Sequence, residues 1–193
     1  MLFIKFNINS TLKYAHFEKL YQHMVTVRQP NFMFENQVPP EIDWGNLKED
    51  EFDAVFKELD NYDNPDKFTF KRYLEFIPSY ANSFIESHLQ YVNKTTTPIK
   101  ESEAVSIMNY LEYDFEVEMD QLEKSDENLG VVKFSTGNFP FGGLDRFLMV
   151  LKAFNLTPTA CFNGFSIIGF NWISNFEFET IEFPEKTKKY LSK

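Results

Sequence analysis

Carboxylates dominate the side chains of this sequence that could take part in chemistry, and they are concentrated in two stretches. Residues 35–66 hold eleven acidic residues against two lysines, a local net charge of −9, and residues 112–127 hold eight against one lysine, a local net charge of −7. The whole chain carries −10, so the remaining residues are net positive. Such segregated charge would attract a basic protein over about a Debye length, ~8 to 10 Å at physiological salt.

In the second stretch, acidic residues alternate with apolar residues from position 111 to position 120. This period of two predicts a half-buried β-strand with its carboxylates in a row on one face, about 6.6 Å apart. The carboxylates of this row belong to Glu112, Asp114, Glu116, Glu118 and Asp120. The favoured interpretation of the row is the solvated face of an acidic protein; a docking surface for a basic partner comes second and metal binding third. From the first stretch, the expected partner-binding residues are Glu49, Asp50, Asp53 and Trp44.

Motifs for metal binding and catalysis are weak in this sequence. The spacing of acids after position 60 does not match a calcium-binding loop, because Lys71 stands where that loop requires its last carboxylate. The histidines His16, His23 and His88 have no zinc-like spacing, and Cys161 has no second cysteine for a disulfide. We therefore predict no catalytic residue, no metal site and no cofactor.

A glycine pair supplies the alternative site. Gly142 and Gly143 join a predicted strand to a predicted helix, an arrangement in which free backbone N–H groups can hold an anion. A tight strand-to-helix junction that needs glycine conformations is the better explanation of the pair. If the chain binds a small ligand, we expect it at this loop, with Asn138, Asp145 and Arg146.

The elements that must position these residues follow from hydrophobic periodicity. Residues 2–8 predict a strand, Ser10 then caps a helix, and further helices occupy most of residues 46–111, the first of them capped by Asn46. The period then changes to that of strands, at 111–120, 131–135, 157–162, 165–172 and 175–183, with one helix at 144–151. Residues 28–45 predict a long connection, and residues 185–193 predict a fraying basic tail.

These elements predict an α+β fold in which a helical N-terminal lobe packs on a mostly antiparallel C-terminal sheet, as a single domain of residues 1–193. The 23 phenylalanines among 193 residues predict a large aromatic core. The acidity disfavours nucleic acid and anionic membrane surfaces as partners. No apolar stretch is long enough for a bilayer span or a signal peptide, so we expect a cytoplasmic protein.

The sequence favours an acidic protein-binding module, specifically an inhibitor or immunity-type protein that neutralises a basic partner such as a toxin or nuclease. A small-ligand-binding protein or enzyme that uses the Gly142-Gly143 loop is the alternative. A structural subunit of a larger assembly is a third possibility. The sequence leaves the oligomeric state and the identity of the partner open.

Overall fold

A computed structural model describes residues 1–34, 41–62, 65–137 and 142–192 of the chain. The described residues form an α+β fold with the following strands and helices in chain order: β1 (Leu2–Ile8), α1 (Thr11–Val27), α2 (Phe52–Tyr62), α3 (Pro65–Phe76), α4 (Ser79–Asn93), α5 (Glu101–Asn109), β2 (Glu118–Lys124), β3 (Leu129–Ser135), α6 (Asp145–Ala153), β4 (Leu156–Phe162), β5 (Ile167–Trp172), β6 (Phe178–Glu182) and α7 (Pro184–Leu191). A 3-10 helical turn (Glu49–Glu51) precedes α2, and a π-helical turn (Tyr110–Asp114) extends α5.

The six strands form one antiparallel sheet in the order β2-β3-β1-β4-β5-β6. The predicted antiparallel sheet is therefore confirmed, and the N-terminal strand lies at its centre, between β3 and β4. Successive side chains of a strand point to opposite faces. In β1, Leu2, Ile4, Phe6 and Ile8 are accordingly buried, whereas Lys5 between them is exposed.

Aromatic side chains fill the main core on one face of the sheet. Helix α1 begins after Ser10, whose hydroxyl oxygen accepts a hydrogen bond from the Lys13 backbone N–H, so the predicted cap is confirmed. The ring of Phe17 in α1 lies 6.3 Å from Phe147 and 5.6 Å from Phe154. Each such ring buries roughly 150 to 250 Å², which makes this cluster a major source of stability.

The opposite face of the sheet is covered in part by α7. Tyr190 packs its ring 5.4 Å from Phe3 and 4.8 Å from Phe162, and its hydroxyl donates a hydrogen bond to the Met1 carbonyl oxygen. Pro184 begins the helix at a position where a missing N–H costs nothing. The prediction of a fraying tail was thus wrong, because Thr187 and Tyr190 on one side of α7 are half-buried against the sheet, and the Thr187 hydroxyl oxygen accepts a hydrogen bond from the Ile167 backbone N–H.

The predicted strand at 111–120 was also wrong in its first half. Helix α5 runs on through the π-helical turn, and strand β2 begins at Glu118. Tyr110, Leu111 and Glu112 are consecutive and all buried, which a strand with one solvated face does not allow. From Phe115 to position 120 the burial does alternate, so the period of two was correctly recognised there.

Arg28 stabilises the irregular segment that follows the π-helical turn. This residue ends α1, and its guanidinium donates hydrogen bonds of 2.8 to 2.9 Å to the carbonyl oxygens of Met24, Leu111, Phe115 and Val117. Helix ends leave carbonyl groups without partners, and buried ones destabilise the fold unless a donor reaches them. Burial lowers the pKa of Arg28 from its ordinary value.

Two finer predictions are not supported. Asn46 does not begin a helix; the 3-10 helical turn before α2 begins after Lys48, two residues later, and the Glu51 carboxylate accepts the Lys48 backbone N–H. A separate helical N-terminal lobe is not confirmed, since β1 belongs to the sheet and α6 comes from the other half of the chain. The predicted connection at 28–45 lies partly outside the described residues.

Candidate functional site

The row of five carboxylates that the sequence predicted does not exist as a row. Glu112 lies in the π-helical turn and is only 2% exposed, so it is absent from the surface. Its Oε1 and Oε2 accept hydrogen bonds of 2.6 and 2.8 Å from the Arg72 guanidinium, and Oε1 also lies 2.8 Å from Nε2 of His23. Glu112 is therefore wrong as a partner-binding residue, because its charge is neutralised inside the molecule.

The cluster of His23, Arg72 and Glu112 is closed by aromatic rings. His23 stacks on Phe76 with ring centroids 4.2 Å apart, and the guanidinium of Arg72 lies 3.8 Å from the ring centre of Phe34. Burial opposes ionisation of Glu112, but the hydrogen bonds from Arg72 and His23 outweigh it and lower the pKa of this carboxyl. Both oxygens of the Glu112 carboxylate have hydrogen-bond partners and neither faces solvent, so this group is suited to holding α1, α3 and the π-helical turn together.

The other four acids of the predicted row are exposed: Asp114, Glu116, Glu118 and Asp120. Glu118 and Asp120 lie on β2, which is an edge strand of the sheet. Charged side chains at a sheet edge discourage pairing with another chain, which gives these acids a structural explanation. Asp120 accepts a hydrogen bond of 3.2 Å from the Ser135 hydroxyl. Four of the five predicted acids are thus exposed, and their role in binding stays a prediction.

A second acidic surface does combine charge with exposed apolar rings. We call residues 41–62 the acidic segment; it carries eight acidic residues and two lysines, a net charge of −6. Trp44 is 55% exposed, Phe56 52% and Phe52 36%, and the last two rings stack with their centroids 6.2 Å apart. The exposed acids beside them include Asp43, Asp50, Glu51 and Asp53, whereas the side chain of the predicted Glu49 lies outside the described residues.

The Gly142-Gly143 loop is a structural junction. Both glycines have positive φ, +76° and +79°, and a Cβ on Gly142 would overlap the carbonyl oxygen of Asp114. The carbonyl oxygen of Gly143 accepts a hydrogen bond of 2.8 Å from the Tyr110 hydroxyl, so the loop is fastened to the π-helical turn. Asn138 lies outside the described residues, and Asp145 is an exposed residue in the first turn of α6.

A cavity of about 450 Å³ lies beside this junction, between α4, α5 and α6. Its walls are mostly apolar, with Ile85, Leu89 and Val150 among the residues that line it. Its polar lining side chains are those of His88, Asn93, Ser102, Glu103, Ser106, Tyr110 and Arg146. Burial lowers the pKa of His88 and keeps this side chain neutral near pH 7. Among the residues predicted for a small ligand, Arg146 lines the cavity. Gly143 is not among the lining residues, but its carbonyl oxygen accepts a hydrogen bond from Tyr110, which is one of them.

The described residues form no metal-binding cluster, and the lone cysteine is not in a reactive setting. Within the described ranges, no three His, Cys, Asp or Glu side chains meet in a way that could hold a metal ion. Cys161 is buried in β4, and burial raises the pKa of its thiol to about 12. In the same part of the chain, every helix is too short or too polar to cross a bilayer.

Sequence reasoning missed the buried ion cluster and the cavity. Glu112 follows Met108 by four residues, so continued helical periodicity places it on the buried face of α5, and this was the available signal. Its partners lie 40 and 89 positions away, and no local pattern links them. No family model, curated protein or solved structure matches this chain.

Proposed function

We propose that this chain is a protein-binding module that captures a basic partner through the acidic segment. The observation that carries the proposal is the surface on which Trp44, Phe52 and Phe56 remain exposed among carboxylates. Large aromatic side chains are enriched at the energetic centres of interfaces, because each buries much area at little entropic cost. Exposed apolar rings surrounded by polar and charged residues are typical of a site for another protein.

The aromatic and acidic residues of this surface have different roles in the proposal. The rings of Trp44 and Phe56 supply the buried area that slows dissociation. Asp50, Glu51 and Asp53 supply the field that steers a positively charged protein and discriminates against acidic ones. Glu118 and Asp120 on β2 are exposed and add negative charge to the surface of the molecule, whereas Glu112 takes no part.

The specific form of this proposal is an inhibitor or immunity-type protein. A nuclease or another toxin that acts on nucleic acid lines its groove with Lys and Arg, since these residues neutralise phosphates. A partner that covers such a groove needs carboxylates together with rings that exclude water, and the acidic segment presents both. Binding of this kind blocks the groove without any catalytic residue in the binding protein.

The test compares two triple variants that remove the same charge. The first is Asp50→Asn, Glu51→Gln and Asp53→Asn in the acidic segment. The control is Glu101→Gln, Glu127→Gln and Glu185→Gln, three exposed acids elsewhere on the described surface. Amide replacements keep the size of each side chain, and Gln at position 51 can still accept the Lys48 backbone N–H.

The full chain is immobilised, its partner is captured from the native cell and purified, and association is then measured at low and high salt. We expect the first triple variant to associate about tenfold more slowly at low salt and to lose most of its salt dependence. The control triple should retain both within about twofold. A partner that is acidic, or one that associates equally fast with both triples, would contradict the proposal.

The aromatic part of the proposal has its own test. Trp44→Ala and Phe56→Ala should each raise the dissociation rate by about tenfold or more, as removal of a central interface ring does. Phe165→Ala is the matched control, because Phe165 is an exposed phenylalanine in the loop between β4 and β5. Equal dissociation rates for the Phe56 and Phe165 variants would show that the partner binds elsewhere.

A further inference from the structure

We infer that the cavity between α4, α5 and α6 binds a small monocarboxylic acid with an apolar body. This inference is independent of the proposed protein-binding role, because the cavity shares no lining residue with the acidic segment. Its volume of about 450 Å³ falls in the range of small-molecule sites, ~300 to 1,000 Å³. Such sites combine mostly apolar walls with a few polar groups that fix the orientation of the ligand.

The apolar body of the ligand would contact three helices. Leu89 and Phe84 come from α4, Ile107 from α5, and Met149 and Val150 from α6. The side chains from α6 are buried in the protein and form the floor, whereas those from α4 and α5 are partly exposed. An apolar chain in this cavity would release water from both groups of residues, and this release is the main source of affinity.

Arg146 sets the charge of the ligand. Its guanidinium lies 5.5 Å from the ring centre of Tyr110, at the end of the cavity where α6 begins. No carboxylate in the described chain forms an ion pair with Arg146. Arg146 is exposed at the mouth of the cavity that it lines, and a guanidinium presents paired N–H donors that match the two oxygens of a carboxylate, so Arg146 is the group that would hold the acid group of the ligand.

The remaining polar groups of the lining are one carboxylate and several neutral side chains, so Arg146 is the one positive charge among the lining residues. Glu103 is the one acid there, and its carboxylate accepts the Lys100 backbone N–H at 2.8 Å, where it completes the first turn of α5. Ser102 and Ser106, on the exposed side of α5, offer hydroxyl groups that can donate hydrogen bonds. Because burial lowers the pKa of His88, that imidazole adds no charge near neutral pH.

The experiment is titration calorimetry of the full chain with decanoate below its micelle concentration. Decanol is the probe that has the same apolar body without the charge. We expect saturable binding of one decanoate per chain and at least about tenfold weaker binding of decanol, which corresponds to the loss of one charge-assisted hydrogen-bonded pair. Absence of saturable decanoate binding to the folded chain would overturn the inference.

Three variants identify the site. Arg146→Gln should weaken decanoate binding by about tenfold or more and leave decanol binding unchanged. Lys100→Gln, which removes an exposed positive charge outside the lining, should change neither. Ser106→Phe places a ring into the cavity from an exposed helical position and should abolish binding of both probes. Equal effects of the Arg146 and Lys100 variants, or full binding by the Ser106 variant, would show that decanoate binds elsewhere.

Discussion

Replacing Glu112 by Gln should destabilise this protein more than any exposed acid-to-amide change. The substitution keeps the shape of the side chain but removes the charge that faces Arg72 and His23. Three contacts of 2.6 to 2.8 Å surround a carboxylate that is 2% exposed, so the change leaves the partly buried guanidinium of Arg72 without its counter-charge. Removing one partner of such a pair costs about 3 to 5 kcal/mol.

The assay is urea unfolding followed by circular dichroism. Native proteins typically have a free energy of unfolding of about 5 to 15 kcal/mol, so the expected loss is a large part of the total. With a urea slope of about 1 to 3 kcal/mol/M, the midpoint should fall by 1 M or more. Asp114→Asn is the matched control two residues away, and it should change the free energy of unfolding by about 0.5 kcal/mol or less.

The pH dependence provides a second measurement on the same variant. The pKa of Glu112 is lower in the folded state than in the unfolded state, so its contribution to stability is present above the ordinary carboxyl range. That contribution is lost as the pH falls through the folded-state pKa. The stability difference between the wild type and Glu112→Gln should therefore shrink in acid. A loss no larger than that of Asp114→Asn at pH 7 would refute the reasoning about the cluster.

Three further predictions concern other parts of the molecule. Gly142→Ala should lower the free energy of unfolding, measured in a urea titration, by about 1 to 3 kcal/mol. The added Cβ would be strained at positive φ and would overlap the Asp114 carbonyl oxygen. An unchanged free energy of unfolding would show that the junction can move. Burial lowers the pKa of Lys152 to about 8, and its Nζ lies 3.6 Å from the ring centre of Trp172. Tryptophan emission should consequently change with a midpoint near pH 8. The free energy of unfolding should rise as the pH increases from about 8 to the ordinary lysine pKa. A transition in emission that persists in Lys152→Met would have another origin. Cys161 should react with a thiol reagent only after unfolding, since its thiol is buried and burial raises its pKa to about 12.

The sequence predicted elements whose pattern is local. Strand β1 alternates buried and exposed residues without interruption, and α1 carries both a side-chain cap and a helical stripe. The central position of β1 was not predictable, because its neighbours β3 and β4 lie more than 100 residues away and no local signal distinguishes a central strand from an edge strand here.

The misassigned half of the acidic strand has a physical cause. From Leu111 to Asp120 the sequence alternates apolar and acidic residues, and a carboxylate is ordinarily placed on the solvent side. Here Arg72 and His23 stabilise a buried carboxylate, which allows Glu112 to face inward and the helix to continue. The prediction failed at the one acid whose partners come from distant helices.

For the candidate sites, the sequence indicated the charge of the surface but not its shape. The acidic segment was identified from composition, and Trp44 was expected beside it and is exposed. The cavity was not predicted, since its lining residues come from three helices that are separate in the sequence. Arg146 was expected near a ligand because of the glycine loop, yet it lines a cavity on the far side of Tyr110.

The ladder partners of β1 have a consequence for biosynthesis. Residues 2–8 pair with residues 129–134 on one side and 156–162 on the other. The ribosome therefore synthesises β1 long before either neighbouring strand. The apolar residues of β1 have no pairing strand while more than 100 further residues are added. Pairing between such distant segments is slow, so we expect the newly made chain to depend on chaperone protection until β4 has emerged.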